Sequence, residues 1–385
     1  MTPKAHIIAM ARTPIGRRAG GLRELVAHEL GGAAIAAAVD RAEIEASTID
    51  DVIMGCTLAA TGNTARVAAL AAGLEVETPG LTIDRQCGSG INAVALAADG
   101  IRLGARATIA GGTESMTNEP YLLARPPRAY SPTPPAFLRR ALSTDEIGDP
   151  GMGTTAENLA QRYGIGREEQ DSYALRSQQR YADHAEAFGV DIVPITGSSR
   201  STTVIDADEH PRPETSADAL AALRPAFAVD GTVTAGNASG INDAAAALVL
   251  VGDEVLAESG ATPLAAVGPS TVAGVDPNIM GIGPVPAIRR LLARTGRKLD
   301  DYAVIEINEA FAVQVLACQR ELGLADDRVN VWGGAIAHGH PIAATGAILV
   351  QKAIRQLQER GGGLAIVSAC IGGGQGIAIE IEVAG

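Results

Sequence analysis

The chain has 385 residues, 46% of them hydrophobic and 19% charged, and 31 Lys and Arg stand against 44 Asp and Glu for a net charge of −13. That length carries two or three domains and a large core, and the apolar share excludes long-range disorder. The acidic balance argues against a general binder of nucleic acid or of an anionic membrane surface, so an anionic ligand has to be held by local basic groups.

His6 to Ala11 reads as a short buried strand, ended by Arg12-Thr13-Pro14-Ile15-Gly16. Ala-rich Glu24 to Arg41 reads as a helix, Asp51 to Met54 as a strand, Thr64 to Ala72 as a helix and Leu81 to Asp84 as a strand. A helix over Gly90 to Leu103 and a strand over Ala107 to Ala110, before Gly111-Gly112, follow. Strands alternating with helices predict an α/β fold with a largely parallel sheet. From about Asn118 to Ala235 the chain is richer in Pro, Arg and Ser, with helices over Thr155 to Tyr163 and Arg167 to Phe188. Within it, Arg125 to Arg140 carries four Arg, five Pro and no acid. This stretch is either an irregular exposed loop or one that faces a ligand or partner.

Alternation resumes near Asn242, with Ala244 to Val251, Tyr302 to Ile307, Ala310 to Glu321 and Thr345 to Arg360 as its elements. Leu364 to Ala369 and Gly376 to Val383 read as closing strands. A strand, a cysteine and a glycine-rich turn occur at Thr82 to Gly90 and again at Ala365 to Gly374. That echo predicts a duplicated α/β unit with an insertion between its halves.

The four cysteines, Cys56, Cys87, Cys318 and Cys370, form no CxxC pair, which excludes a disulfide scaffold and zinc-finger spacing. Four free thiols in a reducing compartment are expected. The opening residues hold no apolar signal-like run, and the longest apolar runs, such as Ala244 to Val251, are about half a bilayer span. The expectation is a cytoplasmic protein with no membrane segment.

A free cysteine is usually a small buried hydrophobe. Cys87, however, sits between a strand and a helix, where unpaired N–H groups and the helix dipole lower a thiol pKa. Gly88 and Gly90 allow close approach of a substrate, and the setting points to a nucleophile. Cys370 has a similar setting before Gly372-Gly373-Gly374, a turn able to aim N–H groups as an oxyanion hole requires. His338 and His340 lack the carboxylates of a metal site, and an imidazole that takes a thiol's proton is the better fit. Asn308, at a strand end, is either a helix N-cap or a group that orients a water or carbonyl. Cys56 and Cys318 read as structural.

Together these residues resemble the signature blocks of the thiolase family. Cys87 in Asp-Arg-Gln-Cys-Gly-Ser-Gly, Asn308-Glu309-Ala310-Phe311, Gly339-His340-Pro341 and Cys370-Ile371-Gly372-Gly373-Gly374 stand in the family's order and roughly its spacing. Val233 to Gly240 is similar to the family's coenzyme A loop, and Ala11 to Pro14 and Met152 to Asn158 also match. The resemblance implies a duplicated α-β-α-β-α core of five layers with an inserted loop domain, in a homodimer or homotetramer. It divides the chain into an N-terminal half, 1–117, completed by about 242–262; a loop domain, 118–241; and a C-terminal half, 263–385.

The implied reaction is reversible cleavage of a 3-oxoacyl-CoA by CoA, with no metal or permanent cofactor. By position, Cys87 takes the acyl group, His340 activates it, and Cys370 moves the substrate proton. Asn308 holds a water in one oxyanion hole, and the N–H groups of Cys87 and Gly372 form the other. Arg212, Ala235 and Ser239 fall where relatives contact CoA, and Met152 and Met280 where they surround the acyl group. Departures from the biosynthetic pattern are Gly151, His338, Ala343 and Gln375 after the three glycines, the last a form associated with degradative members. They bear on acyl chain length and not on reaction type. A ketoacyl synthase shares the fold but typically has a second catalytic His where this chain has Asn308. A non-catalytic lipid-binding or scaffold relative is expected to lack one of Cys87, His340 and Cys370.

Overall fold

Each half of the chain folds into the same succession of strands and helices. The computed structural model describes residues 3–126, 128, 130, 134–196 and 203–385. The first half contributes β1 (His6–Arg12), α1 (Ala27–Ala42), β2 (Ile49–Gly55), α2 (Thr64–Ala71), β3 (Gly80–Ile83), α3 (Ser89–Arg102) and β4 (Ala107–Ser115). The chain then makes its long excursion, through α4 (Met152–Tyr163) and α5 (Arg167–Gly189), and returns to the same sheet as β5 (Asn242–Val251). The second half repeats the order with β6 (Ala265–Gly274), α6 (Pro284–Thr295), β7 (Val304–Ile307), α7 (Ala312–Leu322), the one-turn α8 (Ala335–His338), α9 (Ile342–Glu359), β8 (Gly363–Ile371) and β9 (Gln375–Val383).

The strand orders match. The first half runs β3-β2-β4-β5-β1 and the second β7-β8-β9-β6, joined where β6 pairs briefly with β1. A lone parallel bridge from Ile305 to Val329 occupies the place of β3 in the second half. Helices α3 and α9 pack on each other and on both sheets, α1 covers the outer face of the first sheet and α6 that of the second, which makes five layers. The central layer is thin because its helices are built from small residues. A Cβ at Gly90 would lie 2.6 Å from the Ala347 nitrogen, and one at Gly346 would strike the Ile91 nitrogen. Both central helices are buried over most of their length, as a helix between two sheets must be, and the buried Lys352 of α9 is paired with Glu306.

Three sequence expectations change. The sheet is mixed: β2 is parallel to β3 and β4, and β7 to β8, but β5 and β9 run against their neighbours. A strand buried on both faces is a continuous apolar run whichever way it points, and β5 is buried at every position, so composition does not reveal direction. The duplication is real, but the echo that led to it pairs the wrong elements. Cys87 precedes α3, whose counterpart is α9, so its equivalent place is that of His340; Cys370 ends β8, the counterpart of β4. Third, β4 continues through Gly111-Gly112, since a Cβ there would strike the carbonyl oxygens of Ala246 and Ala343.

The sequence reading also passed over β6 and α6. Of the arginine–proline stretch, residues 127, 129 and 131–133 lie outside the described residues. Its ends are tied in antiparallel fashion, Ala124 N–H to the Ala136 carbonyl at 2.8 Å and Leu138 N–H to the Leu122 carbonyl at 2.9 Å. No described helix is long and apolar enough to cross a membrane.

Candidate active site

Cys87 leaves β3 through a tight turn. The Asp84 carboxylate accepts the Gln86 backbone N–H at 2.8 Å, and Gln86 adopts φ +45°, a strained value for a residue with a side chain. The Ser89 hydroxyl accepts the Arg85 N–H at 2.8 Å and donates to the Gln86 carbonyl at 2.7 Å. One 3-10 turn, Gln86–Gly88, then delivers Cys87 to the start of α3, with 3% of its surface exposed. A Cβ at Gly88 would lie 2.6 Å from Ile371 Cδ1, so only glycine lets the β8–β9 hairpin of the other half come this close. The backbone N–H groups of Gly372 and of Cys87 itself hydrogen-bond the Cys87 sulfur and favour its ionised form, but burial outweighs them and pushes the thiol up to about 11. The resting group is therefore a protonated thiol, contrary to the lowered pKa expected from the helix N-terminus.

Cys370 is not at a helix start. It is paired with Gly376 in the β8–β9 ladder, and Gly372 to Gly374 make the turn. Gly373 and Gly374 have φ +84° and +82°, values at which a side chain is strained. Burial first, and then the nearby Cys87, push the Cys370 thiol well above its ordinary range.

His340 follows α8 through Gly339, whose φ is +101°. Its N–H donates to Asn242 Oδ1 at 2.9 Å, and its Nδ1 lies 2.7 Å from Thr345 Oγ1. Its Nε2 faces the Asn308 side-chain amide at 3.4 Å. Burial pushes the imidazole down to about 4, so it is neutral at pH 7. Ile342, two residues on, packs against Cys87 together with Leu58 and Met116.

Asn308 extends β7, its N–H donating to the Ser368 carbonyl at 2.9 Å. It does not cap the next helix, whose N-cap is Phe311. Its Oδ1 is buried and has no partner among the described residues. Glu309 fixes the segment by accepting from Tyr173 at 2.8 Å, Ser177 at 2.7 Å, Asn330 at 3.1 Å and the Ile336 N–H at 3.2 Å.

Sequence reasoning missed the residues that aim these groups: Asn242 and Thr345, which orient His340, and Glu309. Thr345 offered a signal only in lying five residues beyond His340; Asn242 is brought in from the other half. Of the departures from the family pattern, His338 is fully buried and stacks on Phe188 at 5.0 Å. The Ala343 N–H donates to Glu114 at 3.3 Å, and Gly151 caps α4.

Arg212 and Ala235 line a cavity of about 300 Å³ with His210, Gln178 and Gly236. Arg212 is exposed and has no acidic partner among the described residues. The Ser239 N–H donates to the Ala310 carbonyl at 3.0 Å, which ties residues 233–240 to the Asn308 segment. Met152 and Met280 line a narrow cleft with Leu142 and Gly373. No cluster of potential metal ligands occurs among the described residues.

A buried thiol beneath two N–H donors, a neutral imidazole and a second buried thiol form a site for acyl transfer through sulfur. The thiolase N-terminal domain family matches residues 5–254 and the thiolase C-terminal domain family residues 261–383. The chain is 46% identical to a beta-ketoadipyl-CoA thiolase of Acinetobacter baylyi, over 98% of this chain and 99% of that one. It is also 46% identical to an acetyl-CoA acetyltransferase of Escherichia coli, over 98% of each. The crystal structure of human mitochondrial 3-ketoacyl-CoA thiolase in complex with CoA superposes with a TM-score of 0.93 at 39% identity, over 100% of this chain and 99% of that one. The protein belongs to the thiolase family. It is an acyltransferase of that family, a class that works on CoA substrates. Equal identity to relatives named for different acyl groups leaves its own acyl group open.

Proposed function

We propose that the protein cleaves a 3-oxoacyl-CoA reversibly, with CoA as second substrate, by a ping-pong path through a Cys87 thioester. His340 takes the Cys87 proton, and the thiolate adds to the C3 carbonyl. The C2–C3 bond breaks, the acyl group stays on sulfur, and the electron pair leaves as the enolate of acetyl-CoA. The Cys370 thiol protonates that enolate. The Cys370 thiolate then takes the proton of the incoming CoA thiol, CoA attacks the thioester, and Cys87 recovers its proton from His340. Gly372 and Cys87 N–H groups stabilise the oxyanion on the Cys87 side; Asn308, with a water and His340, stabilises the thioester oxygen of the enolate.

The observation that carries this reading is the convergence of N–H groups from Gly372 and Cys87 on a thiol neighboured by a second thiol. A hydrolase needs no such second thiol. The neutral His340 supports its part as proton acceptor. Arg212, Ala235 and Ser239 take the nucleotide and pantetheine portions of CoA, and Met152 and Met280 flank the acyl group. The same reading assigns 1–117 with about 242–262, 118–241 and 263–385 as N-terminal half, loop domain and C-terminal half. It includes a homodimer or homotetramer, a cytoplasmic location and a part in fatty-acid or related metabolism. The test is CoA-dependent thiolysis of a 3-oxoacyl-CoA series from C4 to C16. Cleavage that vanishes in Cys87→Ala supports the proposal, and wild-type cleavage in that variant contradicts it.

A further inference from the structure

The arginine-rich stretch noted in the sequence has no part in the chemistry above. Its C-terminal end, Phe137 to Arg140, lines a cavity of about 910 Å³. The inner wall includes Leu58, Met116 and Ile342, the three residues packed against Cys87. Gln86 and Met152 line it as well, and Met152 Cε lies 3.0 Å from where a Gly372 Cβ would stand. The cavity is therefore walled on its inner side by the residues clustered with Cys87, and much of its wall is apolar.

Three arginines, Arg18, Arg139 and Arg140, also line it. Arg139 is neutralised by Asp149. Arg140 is not: its Nη1 donates to the Thr57 carbonyl at 2.7 Å, its Nε is buried without a partner, and no carboxylate pairs with it among the described residues. Glu119, the one carboxylate in the lining, forms no ion pair with Arg18 or Arg140 among the described residues. The anchor is rigid. Thr57 and Leu58 are held on their other side by Glu114, which accepts the Thr57 hydroxyl at 2.7 Å and the Leu58 N–H at 3.0 Å. Arg140 is thus fixed to the loop whose next residue, Leu58, lies in the cluster around Cys87.

A part-buried guanidinium with an unsatisfied donor calls for an anionic acceptor, and a carboxylate matches its fork. The phosphates of CoA are not that acceptor on the reading above, because the Arg212 cavity shares no lining residue with this one. We propose that the preferred acyl group ends in a carboxylate received by Arg140, with Arg18 adding charge at the exposed wall, so that the substrate is a 3-oxo dicarboxylic acyl-CoA. This rests on the thiolase reading and names its substrate class.

The test compares kcat/KM for thiolysis of 3-oxoadipyl-CoA with that for 3-oxohexanoyl-CoA, which has the same chain length and no carboxylate. The wild type prefers the dicarboxyl substrate by on the order of 10- to 100-fold, the range expected for a charged hydrogen bond. Arg140→Gln, which keeps a donor for the Thr57 carbonyl, removes most of that ratio, and Arg140→Lys restores part of it. A wild-type ratio near one, or a ratio unchanged in Arg140→Gln, overturns the proposal. Acetoacetyl-CoA is the third substrate. If it is cleaved through Cys87 while the ratio is near one, only the carboxylate assignment fails. If none of the three is cleaved but a longer member of the C4 to C16 series is, the carboxylate assignment alone fails; if no member of the series is cleaved, the thiolase reading fails and this one with it.

Discussion

The thiol of Cys87 is protonated at rest and the imidazole of His340 neutral, both because they are buried. On the proposed mechanism, nucleophile and base then ionise together when substrate arrives, and the aim of His340 matters more than its basicity. Thr345→Val removes the partner of Nδ1 and is expected to lower kcat by about 10-fold or more with a smaller change in KM; steady-state kinetics with intact CoA binding checks this, and unchanged kcat contradicts it. Cys370→Ala is expected to acylate at Cys87 yet turn over on the order of 100- to 10,000-fold more slowly, since only proton transfer is lost. Rapid-quench measurement of acylation beside steady-state turnover separates the two. Arg212→Ala is expected to raise KM for CoA more than it lowers kcat, the mark of lost uniform binding; an unaltered KM would make Arg212 a surface charge. The proposed site residues Cys87, His340, Cys370 and Asn308 carry marks in the sequence, since glycine turns and strand ends adjoin them. Asn242 could not be found this way, because it comes from β5, far along the chain.

At the scale of elements, the site depends on how closely α3 and α9 cross. Gly346→Ala would press a Cβ into the Ile91 backbone and Gly90→Ala into that of Ala347. Neither backbone can yield, so each is expected to cost about 1–3 kcal/mol of stability or more. Gly62→Ala, with nothing within 4 Å of the added Cβ, is the control and stays within about 0.5 kcal/mol. Chemical denaturation measures all three, and equal midpoints would show that the crossing has slack. Helices with Ala-rich or periodic faces were legible within a few residues of their ends. The strand β6, AAVGPSTVAG, was not: its glycine and proline interrupt the pattern, it is only half-buried, and it pairs along β9 but meets β1 only at its first two residues. The helix α6 was hidden by two prolines in its first turn and by the arginines on its exposed face.

For the whole molecule, five layers bury groups that water would otherwise charge. His338, His340 and His210 are all pushed below their ordinary range, chiefly by burial. The unfolded chain takes up their protons below about pH 6.5, whereas the fold refuses them, so each histidine withdraws stability as pH falls from there. The slope is at most about 1.4 kcal/mol per pH unit for each. Burial raises Glu114 and Glu306, which act with the opposite sign, but a comparison of variants cancels them. His338→Leu, a change in a packed aromatic nest with Tyr181 and Phe188, is expected to lose less Tm than the wild type between pH 7 and pH 5. Equal losses would mean that His338 is protonated in the fold. The duplication itself was foreseen through the wrong pair of motifs, because sequence likeness between two glycine turns does not report which strand each one follows.

The central claim is that Cys87 carries the acyl group, and the most direct measurement is peptide mass mapping of the protein mixed with acetoacetyl-CoA in the absence of free CoA. The account predicts an acetyl adduct on the peptide that contains Cys87, discharged as acetyl-CoA when CoA is added and absent in Cys87→Ala. An adduct on Cys370 or elsewhere, or turnover with no covalent intermediate, would contradict it.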